Sequence, residues 1–268
     1  MIAVGNMLWR IGDILDFDEQ LAWTRDAGFN GVGFHASAGV PGQWCGIDPA
    51  HCDSARRASL RQRLSAFSYV EIHAPFAIEL TADRLDAEIE ALAPVLELAA
   101  DVNASVVTVH AQVGDTGGER DAWPASMARL DRLAAQARTT IGLEITDGFA
   151  AVKAWGLSRV GVTLDVGHMY DSARAQALER LGGLGGLIRA LGPTLEHLHL
   201  HDTDGLTDHC EVGTGIIEFT AIIAALRETG YRGGATLEMN PDRCSAAGIA
   251  RSLAHLRQLC REGGAVGR

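Results

Sequence analysis

Lysine is almost missing from this 268-residue chain: Lys153 is the only one, and arginine supplies the other basic residues. That bias fits a GC-rich coding sequence, and it removes most lysine chemistry. Lys153 itself falls in a helical stretch from Ala150 to Gly156, a poor setting for a Schiff-base amine. Positive charge is scarce as well. The 34 acidic residues outnumber the 23 basic ones and leave a formal net charge of −11. This argues against nucleic acid as a partner, because gripping phosphates needs clustered Lys and Arg. The five cysteines, Cys45, Cys52, Cys210, Cys244 and Cys260, contain no CxxC pair. They read as reduced thiols of a cytoplasmic protein rather than a disulfide framework. No run of eighteen apolar residues is present, and Met1 to Arg10 lacks a basic segment followed by an apolar one. Neither a membrane span nor a secretory leader is expected.

What the chain does have is apolar residues, 47% of the total, and a strict rhythm. Short β-rich runs alternate with longer helical patterns, the signature of a parallel sheet built from strand–helix units. Eight strands are predicted, at Ile2–Gly5, Gly31–His35, Tyr69–His73, Ser105–His110, Ile141–Ile145, Gly161–Asp165, Leu195–His201 and Ala235–Met239. Helices are predicted at Phe17–Ala27, Arg56–Phe67, Arg84–Val102, Ala122–Thr139, Phe149–Gly156, Ala173–Leu191, Ile217–Thr229 and Ser245–Arg261. Asp16 serves as an N-cap, Gly28 and Gly230 as helix stops, and Pro193 as a breaker. The glycines of Leu181–Leu187 weaken the middle of the sixth helix. The expectation is an α/β chain folded as one (β/α)8 TIM-barrel domain over residues 1–268, with a tail that frays after about residue 262.

Alternate side chains of a barrel strand point inward. The inward positions read Gly33/His35, Glu71/His73, Thr108/His110, Gly142/Glu144, Thr163/Asp165, His197/His199/His201 and Thr236/Glu238. Their outward neighbours, such as Val107, Leu143, Leu164 and Leu198, are apolar. A single inward histidine is ordinarily a satisfied core residue. A polar group at the C-terminal end of seven strands is different, because this is the rim where TIM-barrel active sites form. So many ionisable groups around one mouth are most simply compensated by a bound cation.

The segments "VEIHAPF", "VVTVHAQ", "GLEIT", "GVTLDVGH", "LHLHDTDG…DHCEVGTG" and "ATLEMNP" resemble, as a set from about Gly31 to Pro241, the strand ends of the xylose-isomerase-like superfamily. That superfamily includes sugar phosphate isomerases and epimerases, inosose dehydratases and endonuclease IV. In the isomerase and epimerase branches the resemblance implies one divalent ion on Glu144, Asp165, His199 and Glu238. Three carboxylates and one imidazole suit manganese, magnesium or cobalt. Glu144 and Glu238 would double as acid and base in proton exchange through a metal-stabilised enediolate. The endonuclease branch implies two or three zinc ions, with His73, His110, His168 and His209 as additional ligands. Its D-x-H aspartate falls on Thr207 here, one residue from Asp208, which puts the third ion in doubt. A multi-zinc phosphoesterase and a metal-dependent polyol dehydratase therefore stand as alternatives to the isomerase.

Around this set, His168 is expected to contact substrate, or else to cap a helix or loop. His35 is either a substrate contact or a buried, satisfied imidazole. His201 and Asp202 would support the ligands, with His201 also a candidate substrate contact. His197 lies deeper and is structural. Trp44 and Trp9 could line the mouth against a sugar face or simply cap the core. Arg243 could pair with an anionic group or stand exposed at a helix start. The glycines of Val212–Gly215 offer backbone amides for a phosphate, or a tight turn. The expected partner is a small sugar-type molecule, and the surface is compatible with a homo-oligomer.

Overall fold

The computed structural model describes residues 2–113, 122–170 and 174–262. Eight parallel strands form the barrel: β1 Ala3–Met7, β2 Gly31–His35, β3 Tyr69–His73, β4 Val106–Ala111, β5 Thr140–Glu144, β6 Val160–Asp165, β7 Leu195–Leu200 and β8 Gly234–Leu237. Each pairs with its neighbour in sequence, β1 pairs with β8, and the β3–β4 ladder completes the ring. Helices surround it, packed on outward residues such as Val32, Ile72, Val107, Leu164 and Leu198, which are wholly buried. None of the described helices is long and apolar enough to cross a membrane.

All eight predicted strands are present, but some helices differ. The stretch expected as one helix from Arg84 is two, Leu85–Ala91 and Ala93–Val102, with Pro94 in the first turn of the second. Proline lacks the N–H that would continue the preceding ladder, so the chain restarts there. The sixth helical region is likewise split into Ala175–Arg180 and Gly183–Leu191, because Gly182 and Gly183 both take positive φ, 82° and 75°. Asp16 caps the first helix as expected, accepting from the backbone of Asp18 and Glu19. Among the described residues, elements not foreseen include a hairpin of Gly39–Val40 with Trp44–Cys45, the strand Glu79–Leu80 laid beside the end of β4, and short 3-10 turns at Pro49–His51, His168–Tyr170 and Gly192–Thr194. The expected frayed tail lies outside the described residues. Lys153 points its amine at the Ala190 carbonyl on the outer face.

Strand register sets up the functional end. It places His35 beside His73, His110 beside Glu144, and Asp165 beside His199. Below that rim the interior is polar rather than filled by branched aliphatics. Thr108 donates to Glu71 at 2.8 Å and lies 3.1 Å from the Thr163 hydroxyl. Gly142 makes this layer possible, since a Cβ there would stand 1.9 Å from Thr163 Oγ1. Gly142→Ala should therefore destabilise the barrel by about 1–3 kcal/mol through overpacking. Adding Thr163→Ala should recover much of that loss; urea unfolding of the single and double variants checks both.

Candidate metal centre

Glu144 closes β5, Asp165 closes β6, His199 stands one residue before the end of β7, and Glu238 follows the last residue of β8. These four converge although they are far apart in sequence. His199 Nδ1 lies 2.8 Å from Glu238 Oε2, 3.5 Å from Glu144 Oε2 and 4.0 Å from Asp165 Oδ2. All four side chains are buried. Burial favours the neutral form of each carboxyl, but the His199 charge outweighs it and holds Glu144 well below the ordinary range and Glu238 below it. Burial likewise acts against Asp165, and the His201 partner holds it low.

Hydrogen bonds fix which nitrogen of each ring carries a proton. His199 Nε2 is 2.7 Å from Glu71 Oε1. Glu71 is fully buried, which favours its neutral form, yet His197 and His199 together keep its pKa well below the ordinary value. An ionised carboxylate only accepts, so the His199 proton sits on Nε2. Nδ1, the nitrogen that would give up its proton to a bound ion, faces three carboxylates and forms no aligned hydrogen bond despite the short contact to Glu238. The donor set of one imidazole and three carboxylates fits a divalent ion.

The flanking histidines repeat the pattern. His73 Nδ1 donates to the Ala74 carbonyl at 2.7 Å, which turns Nε2 toward Glu144 Oε2, to which it is hydrogen-bonded at 3.2 Å. His209 Nδ1 donates to the Glu238 carbonyl at 2.7 Å, leaving Nε2 as the free ligand atom. Outer nitrogens tied to carbonyls, with inner nitrogens free, are the usual arrangement around a bound metal. Two further groups could hold an ion, His73–His110–Glu144 and Asp165–His168–His209, the latter with His201 close by but both of its ring nitrogens already engaged. His168 donates its backbone N–H to Asp165 Oδ1 at 2.9 Å, and its ring lies 3.5 Å from Glu144 Oε1. Asp208, displaced by one residue from the endonuclease pattern, still comes within 3.8 Å of His168 Nε2. His209 occupies the left-handed region at φ 52°, a conformation in which histidine is enriched among non-glycine residues.

Several expected substrate contacts lie elsewhere. His201 accepts the His209 backbone N–H on Nδ1 at 2.8 Å and donates from Nε2 to Asp165 at 2.9 Å. Fully buried, it orients Asp165 instead of meeting substrate. His35 is also fully buried, stacked on His73 at 4.4 Å, with neither ring nitrogen hydrogen-bonded. It is thus buried but not a satisfied imidazole. Burial, reinforced by His73, keeps it neutral. Trp44 stands edge-on to His35, and half-exposed Phe76 covers it at 4.5 Å. Phe76 was missed in the sequence, although its place three residues after His73 in "HAPF" was a usable signal. Arg243 donates to the Asp208 carbonyl at 3.2 Å and so ties two loops together. His197 is structural as expected, bonded to Glu71 and Thr236.

The glycine loop after β7 is no phosphate cradle. Asp202 fills it: its carboxylate accepts the N–H groups of Gly213 and Gly215 at 2.9 Å and of Ile217 at 3.1 Å. Beside Glu144 and His168 the open mouth is lined by Glu79, Asp83, Asp147 and Arg174.

Residues 21–259 match the sequence profile of the xylose isomerase-like TIM barrel family. The chain belongs to that family. Among solved members of similar shape, an L-ribulose 3-epimerase is 20% identical with a TM-score of 0.72, covering 100% of this chain and 99% of that one. A D-psicose 3-epimerase from Clostridium cellulolyticum H10, crystallised with D-tagatose, is 16% identical with a TM-score of 0.74, covering 97% and 99%. A xylose isomerase domain protein from Planctomyces limnophilus is 16% identical with a TM-score of 0.75, covering 97% and 98%. At these identities the likeness is one of fold. An uncharacterized protein of Methanocaldococcus jannaschii is 31% identical over 104 residues, 38% of this chain and 33% of that protein. The chain thus spans about a third of the length of that curated relative.

For this xylose isomerase-like centre, the metal-free state predicts a pH dependence. Burial lowers the basicity of His199 and His168, but neighbouring carboxylates outweigh it; His199 is held well above 6.5 and His168 at about 9. Protons then occupy these imidazoles near neutrality, and an ion bound there would have to displace them. A raised pKa contributes stability that is complete below 6.5 and lost as pH rises through about 9. Cobalt affinity should therefore increase from pH 6.5 to 9 with net proton release, measured by calorimetry in buffers of different ionisation enthalpy. Over the same rise the metal-free protein should unfold at progressively lower temperature.

Proposed function

We propose that this chain is a divalent-metal-dependent isomerase or epimerase of a small, unphosphorylated sugar, working in a reducing, cytoplasmic compartment to which its five free cysteines are suited. One observation carries the reading: two ionised glutamates, Glu144 and Glu238, flank Nδ1 of His199 at 3.5 and 2.8 Å. Manganese, magnesium or cobalt on Glu144, Asp165, His199 and Glu238 would supply Lewis-acid polarisation of a carbonyl and its neighbouring hydroxyl. Asp165 is aimed by His201 and so enters the site in fixed orientation. One glutamate takes a carbon-bound proton, and the pair returns a proton to the same or the adjacent carbon. Phe76 and Trp44 offer an apolar wall for a sugar face, and His168 a donor for a hydroxyl. The Asp202-filled amide loop and the acidic residues at the mouth argue for an uncharged substrate.

A second reading has its own support. The His73–His110–Glu144 and Asp165–His168–His209 groups adjoin the central site, an arrangement suited to two or three zinc ions acting on a phosphoester. Loss of water from a polyol at the same centre is a third outcome.

Incubation with candidate ketoses in heavy water separates them. Isomerisation or epimerisation deposits carbon-bound deuterium with no loss of water, elimination yields a dehydrated product, and phosphoester cleavage incorporates none. Glu144→Gln and Glu238→Gln should each keep the fold and cut turnover by about 10²-fold or more; near-normal activity in either would end the two-glutamate mechanism.

A further inference from the structure

Beneath the rim lies a carboxylate that the mechanism above does not use. Glu71 is wholly buried in the barrel, and every hydrogen bond it makes is as an acceptor. Oε1 receives the Thr108 hydroxyl at 2.8 Å and His199 Nε2 at 2.7 Å; Oε2 receives His197 Nε2 at 2.9 Å. Gly33 leaves it room, since a Cβ there would stand 2.9 Å from Oε2. The chain continues downward, with His197 Nδ1 3.2 Å from the Tyr69 hydroxyl and the two rings nearly parallel at 7°. No arginine or lysine among the described residues pairs with Glu71; its ion-pair partners are His197 and His199.

An ionised group held in a protein interior costs several kcal/mol unless it is compensated. Stapling β3 to β7 would not need a charge, because a glutamine could span the same gap. What the charge adds is control of His199. We propose that Glu71 is a positioning residue for the metal centre. By accepting the His199 Nε2 proton, it holds the ring in the tautomer whose Nδ1 faces Glu144, Asp165 and Glu238, and it strengthens that nitrogen as a ligand. The inference rests on the reading of those four residues as metal ligands. It makes Glu71, with no contact to ion or substrate, a determinant of metal affinity.

Titration of the metal-free, full-length protein with Co²⁺, followed by visible absorption, tests this. Glu71→Gln should bind Co²⁺ about 10- to 100-fold more weakly, with shifted ligand-field bands. Thr108→Val removes a donor from the same Oε1 but leaves charge and tautomer alone, so it should weaken binding by no more than about threefold. Equal losses in the two variants, or unchanged affinity and spectrum in Glu71→Gln, would overturn the proposal. If Glu71→Gln does not fold, nitrogen-15 spectra of the histidines in the wild-type protein loaded with Zn²⁺ decide: a proton on His199 Nε2 supports the inference, and one on Nδ1 overturns it. A wild-type protein that takes up no Co²⁺ removes the metal reading itself, a result distinct from a wild type that binds while Glu71→Gln binds equally well.

Discussion

The constraint on which this molecule turns is negative charge gathered inside a closed barrel without arginine or lysine to meet it. Glu71, Glu144, Asp165 and Glu238 are all buried, and their ion-pair partners among the described residues are histidines. Imidazoles can balance carboxylates in only two ways: by taking extra protons, or by sharing a cation with them. His73, His199 and His209 each spend their outer nitrogen on a carbonyl or carboxylate, so the inner nitrogens converge on the carboxylate oxygens, where either balance can be struck. The backbone is arranged around that convergence. Glycines at positions 33 and 142 leave space for the polar layer, and the register of β6 and β7 brings Asp165 beside His199.

Much of this was legible in the sequence because a strand has a period of two and a barrel has one functional rim. Those two facts turn "GLEIT", "GVTLDVGH", "HLHLH" and "ATLEM" into inward carboxylates and imidazoles at one height, with no need to know which strands touch. What stayed hidden depends on contacts across the barrel. Glu71 could be read as inward, but its bond to His199, 128 residues away, follows from the tilt of β3 against β7. His35 occupies the same inward position as its neighbours, yet Trp44 and Phe76 fold over it, and loop paths of that kind leave no periodic trace. The break at Pro94 follows a simple rule that the apolar periodicity of the surrounding residues obscured.

Asp202 shows how a loop motif can mislead. A glycine-rich turn ahead of a helix at this end of a barrel is a common phosphate site, because its amides point at an anion. Here the anion is internal. The Asp202 carboxylate takes the amides of Gly213, Gly215 and Ile217, and so fixes the loop that carries His209 into the site. The motif thus stabilises the histidine cluster and does not recruit substrate. Its spacing is identical in the two cases; only the preceding aspartate, one residue beyond His201, distinguishes them.

Glu144 is where the competing chemistries meet. Its Oε2 faces His73, His110 and His199 at 3.2, 3.4 and 3.5 Å, while Oε1 faces His168 at 3.5 Å. With one ion at the central site, a lone pair of Glu144 would remain to lift a proton from carbon. With ions on both sides, each of its oxygens would be committed as a ligand, and a carboxylate so bound would be a poor base. On the proposed readings isomerase and hydrolase would therefore differ in how the same residues are loaded, the flanking imidazoles being softer donors than the three carboxylates at the centre.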